Sequence, residues 1–213
     1  MAQPVLYVLA GVNGAGKSSI GGYLLEQAGA VWFNPDTFAR ELVARTGCTQ
    51  DDANAAAWQE SLRRLDEAVA EGRHYAFETT LGGDTLAARI RAATRTHDVI
   101  MWFCGLSSPE LHINRVRARV EAGGHDIPAT RIRERYPRSL RNLIQLLPDL
   151  AHLRVYDNST EAARGEAVPD PLPVLEMQAG KVIAPSPDDA AALSRTPDWA
   201  RPIVEAALLI GLR

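Results

Sequence analysis

A glycine-rich loop near the start of the chain constrains its fold more than any other feature. Residues Gly11–Ser18 match the phosphate-binding pattern G-x-x-x-x-G-K-[ST]. An apolar run over Val5–Ala10 precedes the loop, and a helical pattern over Lys17–Gln27 follows it. Because the motif requires this order of strand, loop and helix, the sequence predicts an α/β fold with a phosphate site after the first strand.

The residue types in this loop suit a nucleotide triphosphate. Glycines let successive backbone N–H groups turn inward, and the following helix adds the positive end of its dipole. Lys17 is placed to reach the β- and γ-phosphates, and the Ser18 hydroxyl is placed to bind Mg²⁺. We therefore expect ATP and Mg²⁺ as cofactors. The residues expected to contact them are Gly11, Asn13, Gly14, Ala15, Gly16, Lys17, Ser18 and Ser19.

Charge and cysteine content argue against several other classes of protein. The formal net charge of the 213 residues is −3, which gives no general attraction to nucleic acid or to membranes. The chain has two cysteines, too few for a disulfide framework, and no cluster with zinc-ligand spacing. No apolar run is long enough to span a bilayer, and the first strand leaves no room for a signal peptide. We expect a cytoplasmic protein with neither nucleic-acid nor membrane partners.

Apolar runs and helical patterns alternate over the first 160 residues. This alternation is typical of parallel strands joined by crossover helices. The predicted strands are Val5–Ala10, Ala30–Phe33, His74–Phe77, Val99–Phe103 and Leu153–Tyr156. The predicted helices are Lys17–Gln27, 51–71, Pro109–Glu121 and 129–146, with another through Leu86, Ile90 and Ala93. The succession predicts a P-loop kinase-type parallel sheet flanked by helices.

The last fifty residues follow a different pattern. Apolar runs on either side of Gln178-Ala179-Gly180 predict a hairpin over 174–184. Pro185–Pro197 has the composition of a linker, and Trp199–Leu212 predicts a terminal amphipathic helix. We therefore divide the chain into a P-loop kinase core, 1–160, and a C-terminal extension, 161–213, that packs on the same domain.

Two further expectations concern side-chain burial. In the helix 51–71, the apolar residues Trp58, Leu62, Leu65 and Val69 recur at helical spacing and predict one buried face. Cys104 ends an apolar run and is expected to be a buried free thiol.

Two carboxylates follow predicted strands, at the edge where open α/β sheets bind ligands. Asp36 follows the second strand, and Glu78 follows the third. A kinase needs a carboxylate to accept the proton of the attacking hydroxyl, which suits Asp36, and a second to orient substrate or metal, which suits Glu78. Asp36 could instead, or in addition, cap the helix that its Asn-Pro-Asp context predicts. For Glu78 we expect a partner, since a charge beside an apolar strand usually has one.

The segment 115–141 is rich in arginine and is predicted to form a lid. It carries eight arginines against three acidic residues, on two predicted helices joined by a Gly-Gly loop. Closure of such a lid would bring guanidinium groups to the transferring phosphate and exclude water. A solvated charged face is the alternative, and for any single arginine it is the simpler one. The residues singled out for their positions are Arg115, Arg119, Arg131, Arg135 and Arg138.

Two other positions are assigned less directly. His125, beside the Gly-Gly loop, could touch phosphate or cap a loop. Asn158 follows the fifth strand, at a position where small P-loop kinases often contact the adenine. Both are candidate ATP contacts, together with Arg135.

With these motifs the chain resembles the zeta-toxin family of P-loop kinases over roughly residues 4–160. The resemblance rests on the phosphate loop and on four segments in the same order, which are Asn34–Arg40, Phe77–Thr80, Arg115–Asn142 and Val155–Ser159. It implies an ATP- and Mg²⁺-dependent kinase that phosphorylates a sugar hydroxyl, such as one of UDP-N-acetylglucosamine. An antitoxin protein is then a candidate partner.

The resemblance also implies roles for individual residues. Asp36 is implied as the base that activates the acceptor hydroxyl, and Lys17 and Arg119 as catalytic charges. Arg40, Glu78 and Thr80 are implied as substrate contacts beside Asp36.

The chain departs from the family pattern at two places. His125 stands where the toxins carry a second lid arginine, and Gly82-Gly83 where they have an arginine after the glutamate. Both changes fall at phosphate or substrate contacts, so the acceptor stays open. A P-loop ATPase or switch regulated by a protein partner is the alternative function, and a non-catalytic binding module is a third.

Overall fold

The computed structural model describes residues 3–17, 21, 32–161 and 169–211. Most of the predicted helix over Lys17–Gln27 and part of the predicted strand Ala30–Phe33 lie outside these ranges. Ser18 and Ser19, expected to contact Mg²⁺ and ATP, lie outside them too.

A six-stranded mixed sheet lies at the centre of the described structure. Its spatial order is β2-β1-β3-β4-β5-β6. The pairings among the first four strands are parallel, and the pairings of β5 with β4 and of β6 with β5 are antiparallel. The strands are β1 (Val5–Ala10), β2 (Tyr75–Thr79), β3 (Asp98–Gly105), β4 (His152–Asp157), β5 (Leu172–Gln178) and β6 (Lys181–Ala184). The predicted parallel sheet is confirmed, and the predicted hairpin, β5–β6, extends it at the β4 edge.

β1 lies between β2 and β3, so the loop after β1 emerges between two parallel neighbours at the carboxyl edge of these strands. Outside the named strands, Phe33 forms a parallel bridge with Phe77 of β2. Phe33 N donates to Ala76 O at 2.9 Å, and Glu78 N donates to Phe33 O at 2.9 Å. This pairing places the residues after Phe33 beside the carboxyl end of β2.

Seven helices flank the sheet within the described ranges. They are α1 (Pro35–Thr46), α2 (Gln50–Ala70), α3 (Asp84–Ala93), α4 (Pro109–Glu121), α5 (Ala129–Leu146), α6 (Ala190–Ser194) and α7 (Arg201–Gly211). α6 interrupts the stretch 185–197 that was expected to be a linker. In the described part of the chain, no helix combines the length and the apolar character needed to cross a membrane.

The core lies on both faces of the sheet, as the alternation within β1 requires. Leu6 and Val8 point into the larger cluster, and Leu9 points into a smaller cluster on the opposite face. Phe77 and Phe103 are fully buried in the larger cluster. Each side chain of this kind contributes about 1.5–3 kcal/mol when it leaves water. This rigid sheet therefore fixes the positions of the loops at its carboxyl edge.

The prediction that Trp58 belongs to the buried apolar face of α2 is wrong, because Trp58 is 45% exposed. α2 packs on α1 through small side chains, since Ala53 and Ala57 form one cluster with Ala39. Trp58 follows Ala57 directly, so it is rotated by about 100° from the packed face. Leu62 and Leu65 are buried as predicted. Cys104 is a buried free thiol, also as predicted, and burial raises its pKa to about 12.

Candidate active site

The phosphate loop turns sharply at the end of β1, at two positions where the surroundings leave no room for a side chain and glycine is present. Gly11 has a φ of +139°, and a Cβ there would lie 2.2 Å from the carbonyl oxygen of Cys104. Gly16 has a φ of +83°, and a Cβ there would lie 2.4 Å from Asn158 Nδ2. Only glycine fits these positions without displacing its neighbours. The loop therefore forms the close backbone cradle that binds phosphate groups.

Three other elements fix the loop in place. His112 on α4 donates from Nδ1 to the Asn13 carbonyl at 2.9 Å, and Arg135 on α5 donates to Asn13 Oδ1 at 2.7 Å. Asn158, after β4, donates from Nδ2 to the Ala15 carbonyl at 2.9 Å. Arg135 and Asn158, both candidate ATP contacts, are thus bonded to the loop itself.

Lys17 and Glu78 form an ion pair at the floor of the site. Lys17 Nζ lies 3.3 Å from Glu78 Oε1, and the two side chains are 7% and 9% exposed. Lys17 Nζ also lies 3.5 Å from the carbonyl oxygen of Val12. Asn34 donates from Nδ2 to Glu78 Oε2 at 2.9 Å. The expected partner of Glu78 is therefore the motif lysine, and Asn34 links the pair to α1.

Asp36 stands at the second position of α1 without capping the helix. Asn34 is the N-cap, because its Oδ1 accepts from Asp36 N at 2.9 Å and from Thr37 N at 3.1 Å. The alternative that Asp36 caps this helix is therefore wrong. Its carboxylate is 40% exposed and faces the lid.

The lid segment, residues 115–141, meets α1 at Asp36. Asp36 Oδ2 lies 3.9 Å from Arg119 Nη1 and 3.8 Å from His125 Nε2. Arg119 also donates from Nη2 to the His125 carbonyl at 3.2 Å. Nε of Arg119 and Nε2 of His125 are buried and have no hydrogen-bond partner within the described ranges. A carboxylate and two side-chain nitrogens without hydrogen-bond partners thus converge in one place, and such an arrangement suits an anionic ligand with a hydroxyl.

Two of the predicted substrate contacts lie at the margin of this arrangement. Arg40 is exposed one helical turn beyond Asp36. Thr80 accepts from Gly82 N at 3.4 Å, and its carbonyl accepts from Ser139 Oγ of α5 at 2.8 Å. Thr80 therefore shapes the turn after β2 and ties that turn to α5.

The sequence analysis did not single out two residues that organise the site. Asn34 caps α1 and also bonds to Glu78. The sequence signal for the cap was the proline that follows Asn34, because proline is favoured as the first residue of a helix. His112 is 1% exposed, and burial lowers its pKa to about 4, so the imidazole is neutral. Its position on the apolar face of α4, with Ile113 and Val116, predicts burial but not its contact with the loop.

The residues present fit a nucleotide triphosphate. The glycine cradle, the Lys17 ammonium and the unpartnered Nε–H of Arg119 are all suited to anionic oxygens. No group of three or more His, Cys, Asp or Glu side chains with metal-site geometry occurs in the ranges searched, which exclude Ser18.

Comparison with known proteins agrees with this description. Residues 6–138 match a family model described as an AAA domain. The complex of AvrRxo1-ORF1 and AvrRxo1-ORF2 with ATP has a TM-score of 0.64 at 18% identity, covering 85% of this chain and 60% of that one. The chain thus spans less than two thirds of that relative's length. No curated protein sequence matches the chain.

Two further solved structures share the fold. One belongs to the PezAT chromosomal toxin-antitoxin system of Streptococcus pneumoniae, with a TM-score of 0.55 at 18% identity, covering 74% of this chain and 68% of that one. The other is a putative kinase from Chloroflexus aurantiacus, with a TM-score of 0.53 at 17% identity, covering 63% and 78% respectively. The predicted zeta-toxin-like P-loop kinase fold is confirmed, and the match over residues 6–138 shows that the chain belongs to the AAA-domain family of P-loop proteins.

Proposed function

We propose that this protein is an ATP-dependent phosphotransferase that moves the γ-phosphate of ATP to a hydroxyl of a small acceptor. The observation that carries the proposal is the position of Asp36, whose carboxylate faces Arg119 at 3.9 Å and His125 at 3.8 Å. Asp36 is held at the same edge of the sheet as the phosphate loop by the pairing of Phe33 with β2. This position, facing the Arg119 guanidinium and the His125 imidazole, supports Asp36 as the base.

In the proposed reaction, Asp36 accepts the proton of the acceptor hydroxyl as its oxygen attacks the γ-phosphorus. The bond between the γ-phosphorus and the β–γ bridging oxygen breaks, and ADP leaves with the electron pair. Lys17 and Arg119 stabilise the charge on the transferring group. Lys17 is held for this task by its ion pair with the buried Glu78. Mg²⁺ would neutralise phosphate charge when bound, with the Ser18 hydroxyl as its ligand.

The proposal specifies the acceptor only by class, as a small molecule with a free hydroxyl. UDP-N-acetylglucosamine is the first to test, with Arg40, Glu78 and Thr80 as its proposed contacts beside Asp36. The likeness to a toxin-antitoxin structure, at 18% identity, supports testing an antitoxin protein as a partner.

The test is ADP release from ATP and Mg²⁺ with a panel of nucleotide sugars, nucleosides and simple sugars. We compare the wild type with Asp36→Asn and with Asp51→Asn. Asp51 is a matched control, since it is an exposed aspartate at the second residue of α2, just as Asp36 is at the second residue of α1.

We expect one acceptor to stimulate ADP release in the wild type and in Asp51→Asn, and Asp36→Asn to lose at least about a hundredfold of that rate. ATP binding should persist in Asp36→Asn. A slow background that no acceptor changes, combined with hydrolysis stimulated by a protein partner, would refute the proposal and favour an ATPase switch.

A further inference from the structure

Asn13 of the phosphate loop is held by two helices at once. Its carbonyl accepts from His112 of α4 at 2.9 Å, and its side chain accepts from Arg135 of α5 at 2.7 Å. The residue itself is 4% exposed. Neither contact follows from the phosphate-loop motif, which leaves this position free.

The contact from α4 is closely packed. A Cβ on Gly14 would lie 2.8 Å from the carbonyl oxygen of His112, so the loop rests directly on this turn of α4. The His112 ring packs edge-on against Tyr136, with 5.6 Å between ring centroids. Tyr136 in turn donates to the Leu106 carbonyl, after β3, at 3.2 Å. The ring that contacts the loop is therefore also packed against Tyr136 of α5.

The imidazole has one chemical role in these surroundings. Because the ring is neutral, a single nitrogen carries a proton, and a carbonyl partner requires that proton on Nδ1. Nδ1–H thus donates to the Asn13 carbonyl. Because the peptide bond is trans, the Gly14 N–H points away from the Asn13 carbonyl, so the bond from His112 also fixes the direction of that N–H.

We propose that His112 is a positioning residue for nucleotide binding, which fixes the Asn13 carbonyl and so sets the phosphate loop in its binding shape before ATP arrives. This inference rests on the proposed function only in taking ATP as the ligand. It adds that His112, in the first half of α4, organises the phosphate loop. The last turn of α4 carries Arg119, which has a separate role in the proposed reaction. The gain comes from preorganisation, because a loop already in shape loses less entropy on binding.

The experiment measures ATP affinity by calorimetric titration in four variants, at a temperature where circular dichroism shows each to be folded. His112→Leu removes the donor. His112→Asn retains it, since an Asn amide nitrogen lies close to the position of Nδ1, whereas His112→Gln places its amide near Nε2. His97→Leu is the matched control, because His97 is also 1% exposed but bonds to Thr96 and to the Arg73 carbonyl instead.

We expect His112→Leu and His112→Gln to weaken ATP binding about tenfold, the effect of one lost hydrogen bond. His112→Asn should bind within about threefold of the wild type. His97→Leu should lose stability without losing affinity. If His112→Leu does not fold, the difference in ATP affinity between His112→Asn and His112→Gln is the test.

Equal ATP affinity in all four variants would overturn this inference and leave the proposed function intact. So would an equal loss in His112→Asn and His112→Gln, or a loss in His97→Leu as large as in His112→Leu. Absence of ATP binding by the wild type would overturn the proposed function itself.

Discussion

Asp36 and Glu78 are carboxylates at the same edge of the sheet, and their surroundings assign them different tasks. Glu78 is buried, paired with Lys17 at 3.3 Å and bonded to Asn34 at 2.9 Å. Asp36 is 40% exposed, and the Arg119 guanidinium and the His125 imidazole that face it lie almost 4 Å away. Of the two carboxylates, the one with looser contacts is the more accessible to a substrate hydroxyl. Asp36 is therefore the proposed base, and Glu78 is the residue that holds Lys17.

His112 carries a prediction about pH. Burial lowers its pKa from 6.5 to about 4 in the folded protein. Between these two values the unfolded chain takes up a proton that the folded protein excludes, so the folded state loses stability as pH falls. The contribution of neutral His112 to the free energy of unfolding is fully present above pH 6.5. We expect roughly 2–3 kcal/mol of that free energy to be lost by about pH 4.5.

The measurement is urea unfolding at neutral pH and near pH 4.5, for the wild type and for His112→Asn. Other groups titrate in both proteins, whereas only the wild type contains His112. The wild type should therefore lose more stability than the variant. The same loss in both would show that His112 is not the group responsible.

At the scale of single elements, the first turn of α1 joins helix stability to the site. Asn34 caps the helix with its Oδ1 and holds Glu78 with its Nδ2. Asn34→Ala should lower the free energy of unfolding by about 1 kcal/mol through the lost cap, and also slow transfer severalfold.

Asn34→Ser separates the two effects. Serine is a good N-cap but is too short to reach Glu78, so we expect near-normal stability with slowed transfer. Chemical unfolding and the transfer assay measure the two quantities side by side. Normal transfer in Asn34→Ser would show that the bond to Glu78 has no part in activity.

Sequence patterns predicted the elements with strong periodicity and missed those without it. The apolar run before the loop and the alternation of runs and helical patterns identified the parallel strands. α1 was not predicted as a full helix, because Ala39 is its only fully buried described residue and its apolar period is correspondingly weak. Asn34 and His112 were missed because each acts through one hydrogen bond across the fold. Such a bond depends on tertiary geometry and leaves no period in the sequence.

At the scale of the whole molecule, the C-terminal segment is tied to the nucleotide site. β5 pairs with β4, and Trp199 donates from Nε1 to the buried Asp157 at 3.1 Å. The Trp199 ring covers Gly105, where a Cβ would lie 2.2 Å from it. Asp157 precedes Asn158, which bonds to the phosphate loop. The sequence predicted the hairpin and the helix, but a contact across 42 positions could not be predicted from local pattern.

Trp199→Phe tests this link. Phenylalanine keeps most of the packing but leaves the buried Asp157 with one donor fewer, so the free energy of unfolding should fall by about 1–3 kcal/mol. Trp58→Phe is the matched control, since Trp58 is 45% exposed, and it should change stability by less than about 0.5 kcal/mol. Chemical denaturation of both variants gives the comparison. Equal stability of Trp199→Phe and the wild type would contradict the link.

The most direct test of the account is transfer of label from [γ-³²P]ATP to an acceptor, beginning with UDP-N-acetylglucosamine. The wild type and Asp36→Asn are incubated with Mg²⁺ and each acceptor, and the acceptor is then separated and counted. We predict labelled acceptor from the wild type and none above background from Asp36→Asn, with ATP bound by both. Equal labelling by the two proteins would contradict the assignment of Asp36 as the base.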